Sequence, residues 1–402
     1  METTLSQLLM VLMSFALLFH LGTSLNYLRN RKHISCIPQL CDEDTNNPIN
    51  NCDTDLSVCI PCRNEEQNLR KTLDSLLDQT KKNISILILN DQSTDGTQSI
   101  LDKYMLKYPN IKVIQGKDKP EDWLGKNWAC HQLSEQVFTK LMVFQDADVW
   151  LSPTALERIT QLLYAYDALT VWPHQKLLSF FEQLIIPSVY YSLFTLFPAV
   201  YLHRKPKWLP SFLHSRFKEL FTAANGQFMA FNKATYFNIG GHYAVRNDVV
   251  EDMALARLVK RSNHSMGMYH GQQTIFCRMY HSANEVWDGF GKNFLQGFPN
   301  IFTFMLMGLL HLLVFILPVI ILIISCWVDY ATLSELVITL VFASLSVLTY
   351  TLQRLSLDRL FDWNPMYSLL HIFSVIWFQA LAIRLIWNKL SGRKVKWKGR
   401  PI

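Results

Sequence analysis

Long apolar runs constrain this chain more than any other feature of its sequence. The first extends from Leu5 to Leu25 and contains no Asp, Glu, Lys or Arg. Three further runs lie near the other end of the chain, at 301–328, 333–350 and 366–387. A helix of about 20 apolar residues crosses the hydrocarbon core of a bilayer. The runs therefore predict an N-terminal transmembrane anchor at residues 1–30 and transmembrane helices within residues 301–388.

The first apolar run has two interpretations, a cleavable signal peptide and a retained anchor. Basic residues precede the apolar run of a signal peptide. Here Glu2 precedes the run, and Arg29, Arg31 and Lys32 follow it. The retained anchor fits this order better, and the positive-inside rule then places the following residues in the cytoplasm. Residues 31–54 are predicted to form a loop before the next domain.

A further apolar stretch, Leu177–Leu202, is interrupted by charged, polar and proline residues such as Glu182 and Pro187. We predict an interfacial helix pair at 177–203 rather than a span. Three spans after a cytoplasmic domain would place the basic tail, residues 389–402, outside the cell, against the positive-inside bias. Either the stretch crosses the bilayer, or one C-terminal run is re-entrant, or the tail breaks the rule.

The charge of the chain is concentrated in that tail. The chain carries 38 basic and 32 acidic residues, a net charge of +6. The excess equals the basic residues of the tail, namely Lys389, Arg393, Lys394, Lys396, Lys398 and Arg400. A nucleic-acid-binding domain carries its basic excess across a folded surface, so the neutral body argues against that class. The tail instead predicts contact with anionic headgroups or donor phosphates.

Residues 55–300 alternate between strand-like and helix-like segments, which predicts an α/β domain with a largely parallel sheet. The predicted strands are Leu56–Pro61, Ile84–Leu89, Ile111–Gln115, Leu141–Gln145 and Leu169–Trp172. Leucines recur at helical spacing over 69–77, after the first strand. Ser152 and Pro153 have the N-cap and first-turn signature of a later helix.

Polar clusters follow the predicted strands at their carboxyl ends, where ligands bind in such sheets. They are Arg63-Asn64-Glu65, Asn90-Asp91, Asp146-Ala147-Asp148 and, further along the chain, Glu251-Asp252. The two carboxylates of Asp146 and Asp148 can reach a hard divalent cation. Mg²⁺ or Mn²⁺ takes oxygen ligands and often keeps only one or two carboxylates together with substrate phosphates.

Six motifs in chain order carry a resemblance to a known family. They are Pro61-Cys62-Arg63-Asn64-Glu65-Glu66, Asn90-Asp91-Gln92-Ser93-Thr94-Asp95-Gly96-Thr97, Trp123-Leu124-Gly125-Lys126, Asp146-Ala147-Asp148, Gly240-Gly241-His242 and Glu251-Asp252. Together they resemble the motif set of glycosyltransferase family 2, which implies the A-type nucleotide-sugar-binding fold over residues 55–300. Further motifs resemble the membrane-bound branch with carotenoid (4,4'-diaponeurosporenoate-type) and hopanoid-pathway enzymes. These are Cys277-Arg278-Met279-Tyr280, Glu285-Val286-Trp287-Asp288-Gly289-Phe290-Gly291-Lys292-Asn293 and Trp397-Lys398-Gly399-Arg400.

The resemblance implies a role for each matching residue. Pro61, Arg63 and Glu65 are implied to line the nucleotide pocket, and Asp91 is implied to contact the base. Lys126 is implied to lie beside the nucleotide, and Asp146 is implied to contact the ribose or the donor sugar. Asp148 is implied to bind Mg²⁺ or Mn²⁺ at the diphosphate, and Asp252 to act as the general base. The chain departs from the family in two places. It lacks the Gln-x-x-Arg-Trp motif of processive members, which argues against a polysaccharide synthase, and it has Asn90 where many members have an aspartate.

The sequence therefore predicts an inverting glycosyltransferase of the cell membrane, multi-pass, with a cytoplasmic catalytic domain. It would move a hexose, glucose from UDP-glucose, to a lipid or isoprenoid acceptor such as a carotenoid acid. A hydroxyl acceptor (ceramide, diacylglycerol or polyprenyl phosphate) is one alternative, and a silent nucleotide-sugar-binding protein is another. A general base at Asp252 favours a hydroxyl acceptor, whereas the resemblance favours a carotenoid acid.

A third alternative, a membrane thiol oxidoreductase, depends on the CxxC motif Cys59-Ile60-Pro61-Cys62. It predicts that Cys59→Ser abolishes activity. No second CxxC follows, and Cys36, Cys41 and Cys52 are irregularly spaced in a predicted cytoplasmic loop, where thiols stay reduced. The sequence therefore disfavours a redox or zinc role.

Overall fold

The computed structural model describes residues 5–39, 55–202, 204–298, 300–328, 330–391, 396–397 and 400–401. Most of the predicted loop 31–54 and much of the basic tail 389–402 lie outside these residues, as does the proposed tail contact with phosphates. The chain divides into two compact units. The α/β unit comprises His33–Lys176 and Ala199–Met279, and the helical unit comprises the remaining segments, 1–32, 177–198 and 280–402.

The strands of the α/β unit form two sheets. They are β1 (Leu56–Cys62), β2 (Ile84–Asn90), β3 (Ile111–Gln115), β4 (Leu141–Gln145), β5 (Val149–Leu151), β6 (Ala168–Trp172), β7 (His174–Gln175), β8 (Phe228–Asn232), β9 (Met266–His270) and β10 (Ile275–Cys277). The large sheet has the order β3-β2-β1-β4-β8-β6-β9, and β8 is antiparallel to both of its neighbours. The small sheet has the order β5-β10-β7.

Helices occur in both units. The helical unit contains α1 (Leu5–His33), and the α/β unit then contributes α2 (Leu69–Leu77), α3 (Thr97–Lys107), α4 (Gly125–Glu135) and α5 (Ala155–Ala165). Next come α6 (Phe180–Leu196) in the helical unit, followed by α7 (Ser211–Phe217), α8 (Lys233–Asn238), α9 (Gly241–Ala244) and α10 (Glu251–Arg261) in the α/β unit. The last helices, all in the helical unit, are α11 (Ala283–Asn293), α12 (Ile301–His311), α13 (Leu317–Ile324), α14 (Leu333–Leu360) and α15 (His371–Leu390).

The large sheet is covered by apolar clusters on both faces. One cluster includes Leu73 and Leu76 of α2, and the other includes Leu133 of α4 and Leu255 of α10. Strands buried on both faces read as continuous apolar runs, which explains why β1, β2, β4 and β6 were visible in the sequence. All five predicted strands, including the partly exposed edge strand β3, are confirmed. This layering places the carboxyl ends of β1, β2 and β4 along one edge of the sheet.

The start of α5 corrects one prediction. The helix begins at Ala155 with Thr154 as its N-cap, and not at Ser152 and Pro153. Ser152 instead extends the small sheet, because its N–H donates to the carbonyl of Thr274 at 2.8 Å. A backbone contact between distant segments therefore overrides the local capping signature.

The helical unit contains the apolar runs. Four helical segments in the described residues are long and apolar enough to span a membrane, namely Leu5–His33, Ile301–Ile324, Leu333–Leu360 and Pro365–Leu390. The third extends ten residues beyond the predicted run, because Arg354 and Asp358 pair within the helix and let it continue through charged positions. α6 has 17 residues and is not among the candidate spans. Residues 177–198 and 280–300 group with these helices rather than with the α/β unit.

Candidate active site

Lys126 lies at the centre of a charged cluster at the carboxyl edge of the large sheet. Its Nζ lies 2.8 Å from Oδ1 of Asp146 and 2.9 Å from Oε1 of Glu251, and it donates to the carbonyl of Gly226 at 3.2 Å. Burial lowers the pKa of Lys126, but the two carboxylates outweigh burial, and the pKa stands well above its ordinary value. Lys126 is therefore a permanent cation that joins segments far apart in the chain.

Asp252 follows Glu251 in the first turn of α10 and is held by backbone N–H groups. Its Oδ2 accepts a hydrogen bond from Gly226 at 2.7 Å, and its Oδ1 accepts one from Met253 at 2.7 Å. The pKa of Asp252 is raised to about 7, by burial first and by the negative charge of Glu251 second, against the lowering effects of Lys126 and the two N–H donors. A carboxylate with a pKa near neutrality suits a general base.

Gly226 allows Asp252 and Glu251 to approach the chain before β8. A Cβ atom at this position would lie 3.2 Å from Cβ of Asp252 and 3.2 Å from Oε1 of Glu251. These distances are shorter than nearly all real Cβ contacts, so both acidic side chains would have to move by a few tenths of an ångström. The glycine therefore lets both acidic side chains lie close to this segment of the chain.

We expect Gly226→Ala to lower kcat about ten-fold, because a misplacement of about 1 Å can cost roughly 100-fold and the displacement here is a few tenths of an ångström. Gly22→Ala is the matched control, since a Cβ at Gly22 meets nothing within 4 Å. Steady-state kinetics of both variants in membranes test this, together with thermal unfolding. Equal kinetics for the two variants would contradict the packing role of Gly226.

The residues implied to hold the nucleotide lie at neighbouring strand ends, but they do not all line the same cavity. Arg63 donates to the carbonyl of Asp91 at 2.7 Å, and its guanidinium lies 3.6 Å from the carboxylate of Asp91. Pro61 lines a small cavity together with Lys126 and Asp146. Glu65 is not among the residues that line this cavity; its Oε2 accepts from Asn68 at 3.1 Å, at the start of α2. The structure thus joins Pro61, Lys126 and Asp146, and separately Arg63 and Asp91.

The turn after β4 carries the two carboxylates predicted to serve the donor and the metal. Asp146 is paired with Lys126, whereas the carboxylate of Asp148 hydrogen-bonds to the thiol of Cys277. No group of three or more His, Cys, Asp or Glu side chains within the described residues is arranged to hold a metal. The carboxylate oxygens of the turn fit Mg²⁺ or Mn²⁺, which can bind through one carboxylate plus substrate phosphates.

The CxxC motif does not form a redox pair. Cys59 and Cys62 are buried and form no disulfide with each other, and they belong to the apolar clusters on opposite faces of the sheet. Burial raises the pKa of the Cys59 thiol, which disfavours the reactive thiolate. Cys41 and Cys52 lie outside the described residues.

His242 also has a structural explanation. It is buried, burial lowers its pKa to about 3, and its Nδ1 lies 2.7 Å from the hydroxyl of Tyr236 in a hydrogen bond. His242 is therefore a neutral, hydrogen-bonded histidine.

Two residues of the cluster received no role from the sequence. Glu251 was noted only as the neighbour of Asp252, and Gly226 was not noted at all. The available signal for Gly226 was the segment Asn225-Gly226-Gln227 directly before an apolar strand, but β8 itself was not predicted. The antiparallel insertion of β8 between β4 and β6 is what carries Gly226 to the site.

Comparisons with known proteins bear on what this arrangement does. Residues 57–182 match the family model Glycosyl transferase family 2. A 4,4'-diaponeurosporenoate glycosyltransferase of Staphylococcus haemolyticus is 26% identical over 276 residues, 66% of this chain and 67% of the relative. Its Staphylococcus aureus counterpart of the same name is 24% identical over 364 residues, 86% of this chain and 87% of the relative. The resemblance predicted from the motifs is thus confirmed.

A solved structure supports the fold. The mannosyltransferase PcManGT from Pyrobaculum calidifontis, in complex with GDP-Man and Mn²⁺, aligns with a TM-score of 0.51 and 13% identity, covering 96% of this chain and 100% of that one. The likeness confirms the A-type glycosyltransferase fold of the α/β unit, with apolar helices at both ends of the chain that are candidate spans.

Proposed function

We propose that this chain is an inverting, membrane-bound hexosyltransferase that uses a nucleotide sugar and glycosylates a membrane lipid or isoprenoid, such as a carotenoid acid. The observation that carries the proposal is the cluster of Lys126, Asp146, Glu251 and Asp252 at the carboxyl edge of a sheet whose segment 57–182 matches a glycosyltransferase family. The names of the relatives support a carotenoid acid as acceptor. UDP-glucose is the proposed donor.

In this proposal Pro61, Arg63, Glu65 and Asp91 bind the nucleotide, and Lys126 fixes Asp146 beside the donor. Asp148 would hold Mg²⁺ or Mn²⁺ together with the donor phosphates, as the Mn²⁺ and GDP-Man of the solved mannosyltransferase suggest. A bound divalent cation stabilises the charge that develops on the departing diphosphate.

Asp252 is the proposed general base for a hydroxyl acceptor. The acceptor oxygen attacks the anomeric carbon from the face opposite the diphosphate, and the proton passes to the carboxylate of Asp252. A single displacement of this kind inverts the configuration of the sugar. The raised pKa of Asp252 is the observation that keeps the second candidate open, a glycolipid synthase that acts on a hydroxyl.

A silent binding protein is the less supported alternative. Such a protein would not need a base with a raised pKa, nor a glycine that opens space for it. We also propose that the α/β unit is cytoplasmic and that the chain is a multi-pass membrane protein. A cytoplasmic tail would require one span more or one fewer than the four candidates.

The proposal is tested by incubating purified membranes with labelled UDP-glucose and 4,4'-diaponeurosporenoate, followed by identification of the labelled lipid. We expect transfer that requires Mg²⁺ or Mn²⁺ and that falls about 100-fold or more in Asp148→Ala, since a metal supplies several kcal/mol of charge stabilisation. Asp78→Ala, at the exposed C-cap of α2, is the matched control. The metal role would be contradicted by transfer that persists in EDTA, or by equal activity of the two variants.

A further inference from the structure

Two lysine side chains lie over two stacked aromatic rings beside the turn that carries Asp148, and the charge of Arg278 is close enough to lower the pKa of Lys71. The rings of Trp150 and Phe276 are nearly parallel, 16° apart, with centroids separated by 5.9 Å. Nζ of Lys71 lies 3.2 Å from the centroid of Trp150, and Nζ of Lys176 lies 5.1 Å from that of Phe276. We call Lys71, Lys176 and Arg278 the cation trio.

The strand register places Arg278 next to the other members. Cys277 of β10 pairs with Val149 of β5 in antiparallel fashion and with Gln175 of β7 in parallel fashion. Arg278, one residue after Cys277, therefore lies beside Asp148, one residue before Val149, and beside Lys176, one residue after Gln175. The hydrogen bond from the N–H of Lys176 to the carbonyl of Cys277, at 2.8 Å, extends the ladder to this position.

A second connection holds Lys71 over the same turn. The hydroxyl of Thr72, its neighbour in α2, donates to the carbonyl of Ala147 at 2.7 Å. Ala147 stands between Asp146 and Asp148, so the start of α2 is attached directly to the carboxylate turn. The trio thus comes from three separate segments that all meet beside Asp148.

The electrostatics of the trio favour an anion. The pKa of Lys71 is lowered by burial first and then by the positive charges of Lys176 and Arg278. Gathering like charges costs free energy, and Arg and Lys side chains in such groups form strong charge-assisted hydrogen bonds to carboxylates and phosphates. Asp148, the acidic residue in register with Arg278, carries a single negative charge, whereas the trio carries three positive charges.

We propose that the cation trio binds an oxyanion of the transfer reaction, either the diphosphate of the donor or the carboxylate of an acidic acceptor. The inference rests on the proposed function and names a binding site for it. The apolar platform of Trp150 and Phe276 beside the charges suits an amphiphilic acid, whose hydrocarbon chain can cover the rings.

The carboxylate case gives a balanced reaction. A carboxylate oxygen attacks the anomeric carbon and forms an ester bond, the bond from that carbon to the phosphate oxygen breaks, and the electron pair leaves with the diphosphate. No proton is transferred, so no general base is needed.

The test measures binding without turnover on the full-length protein in detergent micelles. Inorganic pyrophosphate represents the donor side, and all-trans-retinoate represents the acceptor side. Retinol, which has the same hydrocarbon chain without the charge, corrects for nonspecific partitioning. The variants are Lys176→Gln and Arg278→Gln, with Arg278→Lys to keep the charge and Lys103→Gln, exposed on α3, as the matched control.

We expect the Kd of at least one of the two anions to rise about ten-fold in Lys176→Gln and in Arg278→Gln, the order expected for one charge-assisted hydrogen bond. Arg278→Lys should keep affinity within about three-fold, and retinol binding should not change. Weaker pyrophosphate binding identifies the donor diphosphate, and weaker retinoate binding identifies the acceptor carboxylate. The proposal is overturned if neither Kd changes more than in Lys103→Gln. No sugar is transferred in this assay. The binding result can therefore be interpreted even if the protein is found not to have the proposed glycosyltransferase activity.

Discussion

Asp252→Asn should reduce transfer to a hydroxyl acceptor by about 10²–10⁴-fold, the usual contribution of a general base. Transfer to a carboxylate acceptor should fall much less, because the acceptor is already ionised and has no proton to lose. The measurement is kcat/KM for 4,4'-diaponeurosporenoate and for the matching alcohol in the same membranes. Equal losses with both acceptors would rule out the assignment of Asp252 as a base.

The substitution also changes hydrogen bonding, which has to be separated from catalysis. Both carboxylate oxygens of Asp252 accept backbone hydrogen bonds, and an amide has only one oxygen to offer. The loss of one buried hydrogen bond costs about 1–3 kcal/mol of folding stability. Thermal unfolding of Asp252→Asn therefore accompanies the kinetics, and Asp248→Asn, an exposed carboxylate four residues earlier, serves as the matched control.

The same assignment has a pH signature. The active form of the base is the carboxylate, and the pKa of Asp252 is raised to about 7. Transfer to a hydroxyl acceptor should therefore rise as the pH increases through about 7 and level off above it. The rise should be absent with a carboxylate acceptor, whose own pKa of about 4–5 lies below this range.

Asp358→Ala should destabilise the helical unit by about 3–5 kcal/mol, because it leaves a buried arginine without its counter-charge. The side chains of Arg354 and Asp358 are 0% and 1% exposed, and Nε of Arg354 lies 2.8 Å from Oδ1 of Asp358. The guanidinium also donates to the hydroxyl of Ser188 at 3.3 Å and to the carbonyl of Gln183 at 3.1 Å, both on α6. Chemical or thermal unfolding in detergent measures the loss.

Two further variants make this prediction specific. Arg359→Ala removes an exposed charge from the same helix and should change stability by no more than about 0.5 kcal/mol. The double variant Arg354→Met with Asp358→Leu should recover most of the stability, since apolar residues of similar volume can replace a buried ion pair at little cost. If Asp358→Ala and Arg359→Ala unfold alike, the pair does not stabilise the unit.

Much of the architecture was predictable because short apolar patterns in the sequence indicate the strands and the long helices. The five predicted strands are confirmed at nearly their predicted bounds, and each apolar run coincides with a candidate spanning helix. The resemblance is confirmed, while the individual site roles stay predictions. The predicted third run ends at Tyr350, whereas the helix continues to Leu360 through Arg354 and Asp358, which pair with each other.

The sequence by itself determined the positions of five strands and of the apolar helices, and the polar clusters at the strand ends, because apolar periodicity and strand length are local properties of the chain. Tertiary structure alone decided that Lys126 bridges Asp146 and Glu251, and that Gly226 makes room for Asp252. It also gathered the cation trio from three distant segments. Such contacts depend on the path of the chain, here on the antiparallel insertion of β8 and on the register of β10. They join residues that are far apart in the sequence, so local sequence patterns do not predict them.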